Sequence, residues 1–175
     1  MTRKVVLVTG GSRGIGAAAC RLLGGEGWSV AVNYVSDETA ALATAAEVEA
    51  AGGEAMTVQA DMADPAAITA MFEAVDAKWG RLDALVNNAG VVGPRGAFER
   101  VGVDDMNHVL AVNVVGPMLC CQAALPRLLA AGGGAIVNIS SGSAYIGGAG
   151  ENVLYAVSKG ALNSLGIGLS QEYAR

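Results

Sequence analysis

Short apolar runs alternate with longer segments of helical periodicity along the chain, and this alternation limits the fold more than any other feature. Residues 5–9, 30–34, 55–59, 82–87 and 135–140 read as strands that are apolar on both faces. Residues 14–26 place Ile15, Ala18, Ala19 and Leu22 at helical spacing, residues 38–51 form an Ala-rich helix, and Asp64-Pro65 reads as an N-cap followed by proline at the first helical position. A strand that is apolar on both faces needs cover on both, which a parallel sheet flanked by crossover helices supplies. The predicted fold is α/β: a doubly wound parallel sheet in three αβα layers. At 175 residues the chain holds one domain with a sizeable core. Its 25 glycines, about twice the usual ~7%, have no fixed period and fall at the ends of the apolar runs, as α/β turns require.

Composition narrows the partners. The net charge is −5 with no basic patch, which argues against nucleic acid. Uninterrupted apolar stretches fall short of a membrane span, and the apolar run after Met1–Lys4 ends at once in Gly10 and Gly11, too soon for a secretory signal. Cys20, Cys120 and Cys121 are odd in number and sit in apolar helical segments, so no disulfide framework and a reducing compartment are expected. The expectation is a soluble, cytoplasmic protein. No zinc spacing exists, and the single histidine, His108, reads as a solvated helix residue.

The turn from the first strand to the first helix is Thr9-Gly10-Gly11-Ser12-Arg13-Gly14-Ile15-Gly16. In this G-x-x-x-G-x-G spacing Gly10 permits a tight turn, Gly14 lets backbone approach a pyrophosphate at the positive end of the helix, and Gly16 allows close packing. Gly10, Ser12, Arg13, Gly14, Ile15 and Gly16 are therefore candidate cofactor contacts. The second strand ends Val32-Asn33-Tyr34-Val35-Ser36, without the acid that binds a ribose 2′-hydroxyl. Asp37 comes too late and reads as a helix cap. With Tyr34 in the acid's place and Arg13 able to meet a 2′-phosphate, NADP(H) is favoured over NAD(H), which stays possible.

Tyr155 and Lys159 stand four apart in the helical run 153–168, one above the other on a helix face. An ammonium beside a phenol eases proton transfer from a group whose ordinary pKa is about 10. With four Tyr and three Lys in the chain, a chance Y-x-x-x-K is expected roughly 0.1 times. Pro117, four residues after Asn113 in the helical run from Asp105 to Leu129, has no N–H for the Asn113 carbonyl. That leaves either a kinked helix with a free carbonyl or a simple break near Gly116-Pro117.

Taken in order, residues 9–16, Asn87-Asn88-Ala89-Gly90, Asn113, Ser141 and Tyr155-x-x-x-Lys159 closely resemble the short-chain dehydrogenase/reductase family over all 175 residues. The resemblance implies a single NAD(P)-binding Rossmann domain over residues 1–175. It further implies that Asp61 and Met62 contact the adenine and that Asn88, Ala89 and Gly90 run along the cofactor. It also implies a tetrad. Tyr155 protonates a carbonyl or deprotonates an alcohol while hydride passes to or from the nicotinamide. Lys159 lowers the phenol pKa and binds the ribose, Ser141 holds the substrate oxygen, and Asn113 holds a relay water. Ser140 and Ser143 compete for the serine role.

The expected function is an NADP(H)-dependent oxidoreductase acting on a small carbonyl or secondary alcohol. The alternatives are a nucleotide-binding fragment without turnover and, more distantly, a lyase or epimerase. Family members normally continue past the tyrosine helix, so the chain is expected to be the N-terminal portion of a longer protein. Its fifth strand is then an exposed edge. A homo-oligomer through the helices Asp105 to Leu129 and Val153 to Tyr173 is the expected assembly.

Overall fold

A computed structural model of the chain, described for residues 3–173, holds a five-stranded parallel sheet in the order β3-β2-β1-β4-β5. Met1 and Thr2, part of the basic N-terminal run, and the last two residues lie outside the described part. The strands are β1 (Val5–Val8), β2 (Ser29–Tyr34), β3 (Glu54–Gln59), β4 (Ala84–Asn87) and β5 (Ala135–Asn138). The helices are α1 (Gly14–Gly25), α2 (Glu38–Ala50), α3 (Pro65–Trp79), α4 (Val103–Leu110), α5 (Gly116–Ala130), α6 (Ser143–Ile146) and α7 (Val153–Tyr173), with a short 3-10 turn at Phe98–Arg100. The doubly wound α/β expectation holds, and the order reverses between β1 and β4, where such sheets open a crevice at their carboxyl ends.

Two-sided burial separates the strands. Every residue of β1, β2 and β4 is buried, as their unbroken apolar runs require. The flanking strands differ: β3 is mostly half-buried, and β5 alternates exposed with half-buried residues, so the apolar reading of β5 does not give it cover on two faces. On one side of the sheet Leu7, Ala31 and Leu85 pack with Ile68, Phe72 and Val75 of α3 and Cys120, Ala124 and Leu128 of α5. On the other, Val6, Val8, Val30 and Val32 meet Cys20 of α1 and Ala41 and Val48 of α2. The three cysteines are buried and free, and burial pushes the Cys20 and Cys120 thiols up to about 12, so they are inert core groups. Asp64 caps α3 through Ala66 N–H, with Pro65 leading the helix.

The segment after β4 is one continuous helical stretch, Val103–Ala130, whose middle (Ala111–Val115) is a π-helical turn. It neither ends at Gly116-Pro117 nor runs as a plain α-helix: Gly116 N–H donates to the carbonyl five residues back, at Ala111, and Pro117 follows inside the helix. This stretch is long and apolar enough by composition to cross a membrane, which the shorter uninterrupted apolar runs did not suggest. In the domain its Val109, Val112, Cys120, Cys121, Ala124 and Leu128 are buried.

Candidate active site

The glycine turn is held from outside by side chains far away in sequence. Gly10 and Gly14 adopt φ of +62° and +58°, conformations that a side chain strains against. Asn88 donates from Nδ2 to the carbonyls of Thr9 (2.9 Å) and Gly10 (3.0 Å), while Thr9 Oγ1 accepts from the N–H groups of Asn88 and Ala89. Asn33 Oδ1 accepts from Gly10 N–H, and the Asn33 carbonyl accepts from Gly11 N–H. Thr44 of α2 donates to the Ser12 carbonyl. A Cβ on Gly16 would lie 2.5 Å from Asn88 Nδ2 and nearer still to the Gly10 carbonyl oxygen, so the first turn of α1 seats directly on this loop. No side chain caps α1, and its first turn holds no acid. The positive end of the helix therefore faces outward with its amide donors.

Beside this loop runs a groove of about 460 Å³ lined by Gly10, Ser12, Arg13, Tyr34, Asp61, Met62, Asn88, Ala89 and Gly90, all anticipated from the sequence. Val35, Ser36, Asp37, Val91, His108 and Val112 complete it. His108 is exposed as expected, yet it stands on this wall rather than facing bulk solvent alone. Asp37 does cap α2, accepting from Ala40 N–H at 2.9 Å. Burial, then the neighbouring Glu38 carboxylate, raises the Tyr34 phenol above its ordinary range. Asp61 is exposed and turns its carboxylate onto Ala63 N–H. The segment is backed by Gly116, where a Cβ would strike the Met62 carbonyl, and by Cys120 against the Met62 thioether. Gly14, Ile15 and Gly16 stand at the head of α1 and are not part of the groove wall; Ile15 points its side chain to solvent.

Asn113 and Lys159 approach the groove at Gly90, which is on its wall, although they and Tyr155 do not line it themselves. Lys159 is 3% exposed, and its Nζ donates to the Ile139 carbonyl at 2.7 Å and stands 5.7 Å from the centroid of the Tyr155 ring. Burial lowers its pKa below the ordinary lysine range. Asn113, fully buried in the π-helical turn, accepts from Val91 N–H and donates to the Val91 carbonyl, both at 2.8 Å, and donates to Ser158 Oγ. Ser158 in turn donates to the Tyr155 carbonyl. Gly90 marks the junction: a Cβ there would lie 3.3 Å from both Asn113 Oδ1 and Lys159 Nζ.

Ser141 follows β5, and its Oγ accepts from Ser143 N–H at the start of α6. Ser140 donates to the Lys159 carbonyl at 3.2 Å. No hydrogen bond joins Ser141 to Tyr155 among the described residues. Asn33, Thr44, Gly116 and Ser158 carry no motif signal. They act through tertiary hydrogen bonds or close packing, and only the Asn33 position, beside the missing acid, was open to notice in the sequence.

Residues 4–175 match the family described as short chain dehydrogenase. An uncharacterized oxidoreductase of Escherichia coli (strain K12), YgfF, is 46% identical over 173 residues, covering 97% of this chain and 70% of the relative. A solved short chain dehydrogenase from Burkholderia cenocepacia in complex with NADP is 39% identical with a TM-score of 0.91, covering 99% of this chain and 69% of the other. An NADH-dependent reductase, A1-R′, complexed with NAD is 26% identical with a TM-score of 0.93, covering 99% of this chain and 74% of the other.

Proposed function

The chain belongs to the short-chain dehydrogenase/reductase family of oxidoreductases, and we propose that within it the protein is an NADP(H)-dependent cytoplasmic reductase or dehydrogenase of a small carbonyl or secondary alcohol. One observation carries this reading. A groove runs from the Gly-rich loop at Gly10, Ser12 and Arg13 to Gly90, against which Asn113 and Lys159 converge beside Tyr155.

The residues fit a dinucleotide. The loop bears no Cβ at Gly14, where one would meet nothing within 4 Å, so backbone amides lie open to an anion. Arg13 shares the groove with Tyr34 and Ser36 at the end of β2, which suits a 2′-phosphate better than an acid would. When bound, the nicotinamide supplies or accepts the hydride. The Tyr155 hydroxyl gives a proton to the carbonyl oxygen, or takes one from the alcohol. Lys159 is fixed by Ile139 beside the ring, where its ammonium form favours the phenolate. Ser141 has its oxygen committed as an acceptor to Ser143 N–H, so its own O–H is left to donate to a substrate oxygen. Asn113 and Ser158 position α7 against the segment after β4.

Titration with NADPH and NADH, followed by NADPH oxidation over a panel of ketones and aldehydes, tests the proposal. Tighter NADPH binding with turnover of at least one carbonyl supports it. Binding without turnover would favour nucleotide binding alone, and no binding of either nucleotide would refute it.

A further inference from the structure

Among the described residues, Asn33 is the fully buried amide that bonds to both the glycine loop and the segment after β3. Its Oδ1 accepts from Gly10 N–H at 3.0 Å, on the loop that faces phosphate in the reading above. Its Nδ2 donates to the Ala60 carbonyl at 3.0 Å and the Val58 carbonyl at 3.3 Å, leading directly into Asp61 and Met62 on the opposite wall. The Tyr34 carbonyl lies 3.4 Å from the same nitrogen. Its own carbonyl takes Gly11 N–H at 2.7 Å. The first two amides of the loop are therefore both tied to one residue. No other side chain among the described residues bonds to both the loop and the segment after β3.

We infer that Asn33 is a positioning residue for cofactor binding, the carboxamide that sets the spacing between the phosphate-facing loop and the Asp61–Met62 wall. The inference rests on the groove being the NADP(H) site. The position requires an acceptor on one side and a donor on the other, which a carboxamide supplies at once. A carboxylate of the same shape accepts only, so it would set a second oxygen against the Val58 and Ala60 carbonyls. A neutral carboxylic acid restores the pattern, donating its O–H to Ala60 and accepting from Gly10. The groups facing the side chain are backbone atoms of Gly10, Tyr34, Val58 and Ala60. The titratable or charged groups on the groove wall are Tyr34 on its strand, Asp37 just after it, Arg13 on the loop, Asp61 after β3 and His108 across the groove.

Asn33→Asp converts this requirement into a pH profile. The acid is competent while protonated and incompetent once charged, so affinity is retained at low pH and lost as pH rises through the variant's own pKa. NADP⁺ affinity is measured by calorimetry from pH 5.5 to 8.5 and expressed relative to the parent at each pH, which cancels any pH dependence common to the two proteins. The ratio is expected to be within about threefold of unity at pH 5.5 and to fall roughly tenfold or more by pH 8.5. Asn33→Ala, with neither donor nor acceptor, should bind weakly at every pH. A flat ratio in folded Asn33→Asp protein, even with a melting temperature that falls with pH, would assign Asn33 to structure alone and overturn the inference. So would parent-like affinity in Asn33→Ala, or loss of the fold in both variants at every pH. Failure of the parent to bind NADP⁺ would instead overturn the cofactor reading itself, and this inference with it.

Discussion

Gly16→Ala adds one methyl group where the first turn of α1 rests on the Gly10 carbonyl and Asn88. The new Cβ would lie 2.5 Å from Asn88 Nδ2 and closer still to Gly10 O, in a place where neither neighbour is the loose end of a flexible chain. Relief requires the loop to move and strains the Asn88 bonds to Thr9 and Gly10, at 2.9 and 3.0 Å. Overpacking of this kind costs about 1–3 kcal/mol, and each weakened hydrogen bond adds about 0.5–1.5 kcal/mol. The gain from replacing a helical glycine is at most about 1 kcal/mol. The net is a destabilisation of about 1–5 kcal/mol, and for a chain of this size each kcal/mol lowers Tm by about 2–4 °C. Gly168→Ala is the matched control: it lies inside α7, exposed, and its Cβ would meet nothing within 4 Å. It should stabilise by about 0.5–1 kcal/mol. Thermal melts of the two variants beside the parent, by circular dichroism, provide the measurement. If Gly16→Ala melts at or above the parent, the close approach of α1 to the loop is not what fixes glycine there.

Further outcomes follow from the same geometry. Tyr155→Phe should lower turnover of a carbonyl substrate by about 10²-fold or more while leaving NADPH affinity nearly unchanged; normal kcat would remove Tyr155 from the chemistry. Arg13→Ala should weaken NADPH binding about tenfold more than NADH binding, and equal losses would show that Arg13 does not read the 2′-phosphate. Asp83 anchors the start of β1 by accepting from Val5 N–H at 2.8 Å and from Arg81 Nε at 2.9 Å. Burial pushes its pKa up, but the Arg81 guanidinium and the Val5 N–H outweigh this and hold it below the ordinary carboxylate range. Its stabilisation is therefore full above about pH 4 and is lost as pH falls through the lower folded value. Asp83→Asn should cost about 1–3 kcal/mol at pH 7 and flatten the acid side of the stability profile, read by urea unfolding at pH 7 and pH 3.

The sheet was legible in the sequence because burial on two faces leaves unbroken apolar runs, and β1, β2 and β4 show how closely that signal follows cover. β5 looked the same in sequence, yet Val137 is 47% exposed, because a strand's neighbours decide its cover and its own residues do not name them. The glycine loop, Asn88 and the Tyr155-Lys159 pair were readable since their chemistry depends on local spacing. The π-helical turn was only half legible: Pro117 announces a missing donor, but whether the helix breaks, kinks or takes in an extra residue depends on what Asn113 finds across the interface, at Val91 and Ser158. Asn33, Thr44, Gly116 and Ser158 were silent for the same reason.

The groove proposed to hold the cofactor has a history in time as well as a shape. Thr9 and Asn88 are separated by 79 residues, Asn113 and Ser158 by 45, and Asn33 and Ala60 by 27, so the groove is complete only once β4 has docked on β1 and the segment after β4 has settled against its neighbours. Contacts so distant along the chain form late and slowly, because loop closure must come before they can contribute. A nucleotide that recognises only the assembled groove cannot hasten that assembly, but it slows the return: at a hundred times its Kd it stabilises the folded chain by about 2.7 kcal/mol. Cells or expression cultures rich in the nucleotide would therefore hold more of this protein than those depleted of it, through slower loss to proteolysis and not through faster folding.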